Sequence, residues 1–261
     1  MTAELATDVV TWEVVRPGTM VVTMDRGPAN ALGIPLLDGL QAACDAAEAA
    51  GDIKVMVIRS AIEGFFAAGA DIKHLGTINA ESFTAYGNQM RAANDRIESA
   101  SFISIAAVDG LALGGGMELA MACTFRVGGA KARYGLPEVN IGLIPGAGGT
   151  QRLPRLVGRG KALDIILTAR QVPAAEAAEI GLVDRSTDGD VLEAALALAD
   201  EFAGASLPAQ LAGIRSVDAA YDLPFAEGAR VEVEQEQGLF EHGEAAEGID
   251  AFITKRKPNF A

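Results

Sequence analysis

The apolar positions change their spacing along the chain. Residues 20–24 (MVVTM) form an apolar run that ends at Asp25-Arg26-Gly27-Pro28, which reads as a strand entering a turn. From Pro35 to about Ala50 the apolar residues recur at helical spacing. Residues 54–58 (KVMVI) are almost continuously apolar, as in a strand buried on both faces. Strand, helix, strand predicts a βαβ unit with a right-handed crossover. The Gly/Ala-rich EGFFAAGADI (63–72) predicts a loop, 80–99 a helix, 103–108 (ISIAAV) a second buried strand and 125–127 a further short one. The glycine-rich GLIPGAGGTQRL (142–153) predicts a loop capping a helix from about Gly149. Beyond it the spacing is mostly helical, over 161–168, 174–180, 190–203, 208–221, 224–238 and 243–255. The change from mixed to all-helical pattern near residue 200 divides the chain into 1–200 and 201–261. The helical tail is short for an independent core, so it is expected to pack on its own core or on a neighbouring subunit.

One carboxylate stands out against this pattern. LALGGGMELAMA (111–122) contains a single charged residue, Glu118, and an isolated carboxylate in apolar surroundings is costly. Three consecutive glycines cost backbone entropy, so a strand–GGG–helix junction implies that the backbone approaches something closely. Bare N–H groups at a helix start attract negative charge. Gly115 and Glu118 are three apart and share a helix face, which would turn an amide donor and a carboxylate towards one cavity. The plainer reading is a first-turn Glu that complements the helix dipole or closes a capping box.

Gly69-Ala70-Asp71 offers a second set of accessible amides, and two amides aimed at one oxygen make an oxyanion hole. Alternatively, Asp71 simply caps a short helix. Pro137 biases Leu136 to an extended conformation, which places Glu138 at a strand or loop end. A carboxyl in apolar surroundings has a raised pKa and suits general acid work; a surface loop is the alternative. The glycines of 146–149 match no nucleotide phosphate-loop pattern.

Composition narrows the function classes. The 261 residues include 21 Lys+Arg against 35 Asp+Glu, a net charge of −14, which argues against a nucleic-acid partner. Cys44 and Cys123 imply no disulfide framework, and Cys123 on its apolar stretch reads as a buried structural thiol. His74 and His242 are the only histidines, so a His-rich metal site is excluded, and His74 reads as a solvated helix residue. The N-terminus lacks the basic start and apolar core of a signal peptide, and no apolar stretch reaches a membrane span. A soluble cytoplasmic protein is the expectation.

The pieces occur in an order that resembles the crotonase superfamily, the enoyl-CoA hydratase/isomerase family. The matching stretches are PANAL (28–32), FAAGADIKHL (66–75), AAVDGLALGGGMELAMACTFRV (106–127), YGLPEVNIGLIPGAGGTQRLPRLVG (134–158), AAEAAEIGLVD (174–184) and EGIDAFITKRKPNF (247–260). They cover nearly the whole chain, and the run from 106 to 153 is the most specific. The resemblance implies an α/β fold, a crotonase-like spiral of ββα units with a C-terminal helical trimerisation region, in a homotrimer or dimer of trimers. It implies an acyl-CoA thioester substrate, with CoA part of the substrate and no separate cofactor or metal. Its thioester oxygen would be held by the amides of Ala70 and Gly115. In the hydratase branch the two glutamates that flank the water map onto Glu118 and Glu138. CoA would lie along Ala29, Ala31, Ala68, Asp71 and Ile72, with Lys255, Arg256 and Lys257 towards its phosphates. Two glutamates point to an enoyl-CoA hydratase of fatty-acid β-oxidation type, which adds water across the 2,3 double bond of a trans-2-enoyl-CoA. An isomerase, a specialised lyase or hydratase on another acyl group, and a non-catalytic CoA-ester-binding homologue stay open.

Overall fold

The computed structural model describes residues 4–260. It opens with an antiparallel meander of β1 (Glu4–Thr7), β2 (Val10–Arg16) and β3 (Thr19–Met24). Helix α1 (Ile34–Ala50) follows, with Leu36, Leu37, Leu40, Ala43, Cys44 and Ala47 buried along one face. It stops at Gly51, whose φ of 75° only glycine adopts freely. The chain then returns in β4 (Val55–Ser60), parallel to β3, so the expected βαβ unit is present.

From β4 onward the chain repeats one turn three times. β4 leads into β5 (Gly64–Ala67), the short α2 (Ile72–Leu75) and α3 (Ala80–Glu98). β6 (Ile103–Val108) leads into β7 (Gly110–Leu113) and α4 (Gly115–Ala122). β8 (Phe125–Gly129) leads into β9 (Arg133–Gly135), a 3₁₀ turn (Pro137–Ile141) and α5 (Gly149–Val157). The first strand of each turn extends the large sheet, which runs parallel from β3 through β4 and β6 to β8. The second strand of each turn builds a smaller parallel sheet of β5, β7 and β9. All six residues of β6 are buried, which explains its unbroken apolar sequence. After α6 (Arg159–Thr168), β10 (Val172–Pro173) and α7 (Ala174–Glu179), strand β11 (Arg185–Thr187) completes the large sheet beside β8.

Two compact units result, one up to Ala199 and one from Asp200. Helix α8 (Val191–Ala203) straddles the boundary. The second unit holds α9 (Leu207–Asp222), α10 (Phe225–His242) and α11 (Ala245–Thr254). Among the described residues no helix is long and apolar enough to cross a membrane.

The structure corrects the sequence reading in the small sheet. Residues 63–72, expected as a loop, contain β5, and the segment before the glycine triplet contains β7. Both strands have four residues and start at a glycine. Their pairing is with each other, Gly64 opposite Gly110, so no local periodicity marks them.

Candidate active site

The crossing point of β5, β7 and α4 is set by backbone contact. A Cβ on Gly116 would lie 2.1 Å from the Ala67 carbonyl oxygen, so only glycine lets α4 start against the end of β5. Gly114, at φ 52° and ψ −126°, caps that helix in a conformation closed to other residues. The junction therefore needs the glycine triplet, and it brings two amides together. A Cβ on Gly115 would lie 3.7 Å from the Ala70 nitrogen, and one on Gly69 would lie 3.4 Å from the Gly115 nitrogen. Gly115 is the first residue of α4, so its N–H has no partner inside the helix. Leu32 N donates to Gly69 O at 2.8 Å, and Ala68 N to Ala29 O at 3.0 Å. These bonds lay the 29–32 segment beside 68–70 and leave the Ala70 amide free of any acceptor among the described residues.

Ala70, Gly115, Glu118 and Glu138 all line one cavity of about 410 Å³. Its remaining wall is largely apolar and includes Leu75, Phe83, Met90, Leu143 and Ile144. Glu118, in the first turn of α4, is 1% exposed. Its Oε1 accepts from Ala147 N at 2.8 Å and Gly149 N at 2.7 Å. Burial pushes its pKa above the ordinary carboxyl value, opposed by those two N–H donors and then by the charges of Arg152 and Arg91. Glu118 does stand in the first turn of α4, as the dipole reading expects, but it closes no capping box: its carboxylate bonds to amides 29–31 residues away, at the approach to α5.

Glu138 sits in the 3₁₀ turn, a tighter element than the strand or loop end expected for it. Its Oε2 is buried without a hydrogen-bond partner among the described residues. Burial first, with the nearby Glu118 charge adding to it, raises its pKa from 4.5 to about 7. A Cβ on Gly114 would lie 2.7 Å from Glu138 Oε1, so this carboxyl rests directly against the glycine that caps α4.

The other residues picked from the sequence divide into two groups. Ala68 and Ile72 line the cavity. Ala29, Ala31 and Asp71 are not among its lining residues, and Ala29 accepts from the lining Ala68. Arg26 donates to the Ala31 carbonyl at 2.7 Å and pairs with Asp71 at 2.7 Å. The guanidinium and the His74 amide hold the Asp71 carboxyl below its usual range. Asp71 does cap α2, accepting from His74 N at 3.2 Å. Lys255 lies in the second unit, exposed at the end of α11. Its neighbour Arg256 is tied to Glu247 and Asp250, each at 2.6 Å.

Cys44 and Cys123 are buried free thiols. His74 is half-buried rather than solvated, edge-on to the Tyr86 ring at 5.1 Å. Sequence reasoning did not single out Tyr86, Arg91, Asn94 or Arg152. They brace the segments beside Ala70 and Glu118, and their partners lie up to 57 residues away. No groups of three or more His, Cys, Asp or Glu suited to a metal ion occur among the described residues.

Comparison with known proteins agrees with this architecture. A family model described as Enoyl-CoA hydratase/isomerase matches residues 15–261. A probable enoyl-CoA hydratase of Rhizobium meliloti is 41% identical over 92% of this chain and 93% of its own length. One of Bacillus subtilis is 40% identical over 92% of this chain and 94% of its own length. The crystal structure of an enoyl-CoA hydratase from Bacillus anthracis superposes with a TM-score of 0.92 at 32% identity, covering 97% of this chain and 99% of that one. In sequence and in fold, the chain belongs to the enoyl-CoA hydratase/isomerase family.

Proposed function

We propose that this enzyme hydrates a trans-2-enoyl-CoA to the 3-hydroxyacyl-CoA, with Ala70 and Gly115 as oxyanion donors and Glu118 and Glu138 as base and acid. The observation that carries the reading is the convergence of two amides and two carboxyls on one apolar cavity.

The thioester oxygen sits between the two amides. Glu118 takes a proton from water as the water oxygen bonds to C3. The C2–C3 π electrons move through C2 towards the thioester oxygen, and the amides stabilise the enolate charge. The protonated Glu138 then gives its proton to C2, the carbonyl re-forms, and the thioester stays intact. One proton has moved onto Glu118 and one off Glu138, so transfer between the pair or through solvent resets the site.

The two environments suit these roles. Two N–H donors on Oε1 support the charged form of Glu118. A pKa of about 7 keeps a substantial share of Glu138 protonated near neutral pH. The pair is close enough to couple, so its titration steps belong to both groups. Arg26 neutralises Asp71, which otherwise would repel an anionic CoA running along the 68–72 segment.

The test is loss of the conjugated enoyl-thioester absorbance with crotonyl-CoA and a longer 2-enoyl-CoA. Wild type is expected to consume both, and Glu118→Gln and Glu138→Gln to lose most of that rate. Tight CoA-ester binding without absorbance loss would overturn the assignment.

A further inference from the structure

We infer that α3, which supplies no reacting group, positions both halves of the site through one buried stripe: Tyr86 sets the Ala70 amide, and Asn94 sets the turn that holds Glu118. This rests on the roles proposed above for Ala70 and Glu118. Tyr86, Met90 and Asn94 are four apart, share one helix face and are all buried.

The Tyr86 hydroxyl accepts from the Asp71 amide at 2.9 Å and donates to the Leu32 carbonyl. It therefore occupies the rung between Asp71 and Leu32, while Leu32 N closes the preceding rung on Gly69 O at 2.8 Å. Ala70 lies between these two anchors, and the phenol fixes the spacing that turns its N–H into the cavity. Met90 packs over the second oxyanion donor: a Cβ on Gly115 would lie 2.6 Å from its Cε.

Asn94 Nδ2 donates to the Ala147 carbonyl at 2.9 Å. That carbonyl belongs to the peptide between the two that donate to Glu118 Oε1. Holding it fixes the turn that brings both N–H groups onto one oxygen. Arg152 shares the same carbonyl at 3.0 Å, and Arg91 holds Gly146 O at 2.6 Å.

The two anchors predict separable defects. Tyr86→Phe removes the rung without changing shape. It is expected to lower kcat about tenfold or more with KM nearly unchanged, and to reduce the enolate absorbance of bound acetoacetyl-CoA, a 3-ketoacyl thioester. Asn94→Leu is expected to leave that enolate signal intact. It should instead move the acidic limb of the kcat/KM profile to higher pH, because Glu118 loses support for its charged form. Glu138, Arg152 and Arg91 are the charged groups around Glu118, and neither variant alters them. Thermal midpoints confirm that each variant is folded; Asn94→Ser replaces Asn94→Leu if the latter is not.

Variants that move both readouts together, or neither, would overturn the inference. Wild-type enzyme that shows the enolate signal but hydrates no enoyl-CoA would defeat the functional reading alone, and the Tyr86 arm would still be decided.

Discussion

Glu118 and Glu138 face the same cavity from opposite kinds of structure. Glu118 projects from the first turn of a fully buried helix and takes two backbone N–H bonds on one oxygen. Glu138 projects from a half-buried 3₁₀ turn with one oxygen unpartnered among the described residues. Both have raised pKa values, but only Glu118 has donors that resist the effect of burial from a second segment of chain. Burial alone therefore does not divide the roles. In the proposed mechanism the difference in hydrogen bonding does: the two N–H donors favour the charged form of Glu118, and Glu138 has no such pair.

The strongest way to break this comparison is Glu118→Gln. It removes the proposed base while leaving one carbonyl oxygen that can still accept from the Ala147 and Gly149 amides. Loss of general acid–base catalysis is worth about 10²–10⁴-fold in kcat, and Glu118→Gln is expected at the upper end, with Glu138→Gln below it. Steady-state rates of enoyl-thioester loss measure both.

Gly114→Ala strikes Glu138 through the backbone. The new Cβ would start 2.7 Å from Glu138 Oε1, in a conformation that disfavours any side chain. A loss of about 10²-fold is expected, with near-normal CoA-ester binding in a fluorescence titration.

The smallest effect is on stability. The folded-state pKa of Glu138 is raised, so the folded protein binds its proton more tightly than the unfolded chain. Its ionisation then destabilises the fold progressively as pH rises from 4.5 to about 7. Glu138→Gln cannot ionise, so its thermal midpoint should match wild type near pH 4.5 and exceed it by about 2–4 °C at pH 8. Solvent at this half-buried group keeps the difference modest. Equal midpoints at both pH values would contradict the assigned environment.

Much of this was legible in the sequence. Continuous apolar runs marked β3, β4 and β6 because those strands are buried on both faces. GGGME marked the α4 junction because its close approach to Ala67 excludes any side chain at Gly116. The small sheet was not legible, since β5 and β7 are stabilised by each other across 46 residues. The 3₁₀ turn around Glu138 was hidden behind Pro137, whose restriction of Leu136 suits several backbone paths. Asn94 and Tyr86 looked like ordinary helix residues, because what distinguishes them is a partner 53–54 residues away.

The central claim, that Glu138 acts as a neutral acid beside a charged Glu118, is tested most directly by the pH dependence of kcat/KM for enoyl-CoA hydration. The acid must be protonated in the free enzyme, so the wild-type profile should fall as pH rises through about 7, and the residual activity of Glu138→Gln should lack that limb. A wild-type profile that stays flat well above neutrality, or a Glu138→Gln profile that keeps the same limb, would contradict the account.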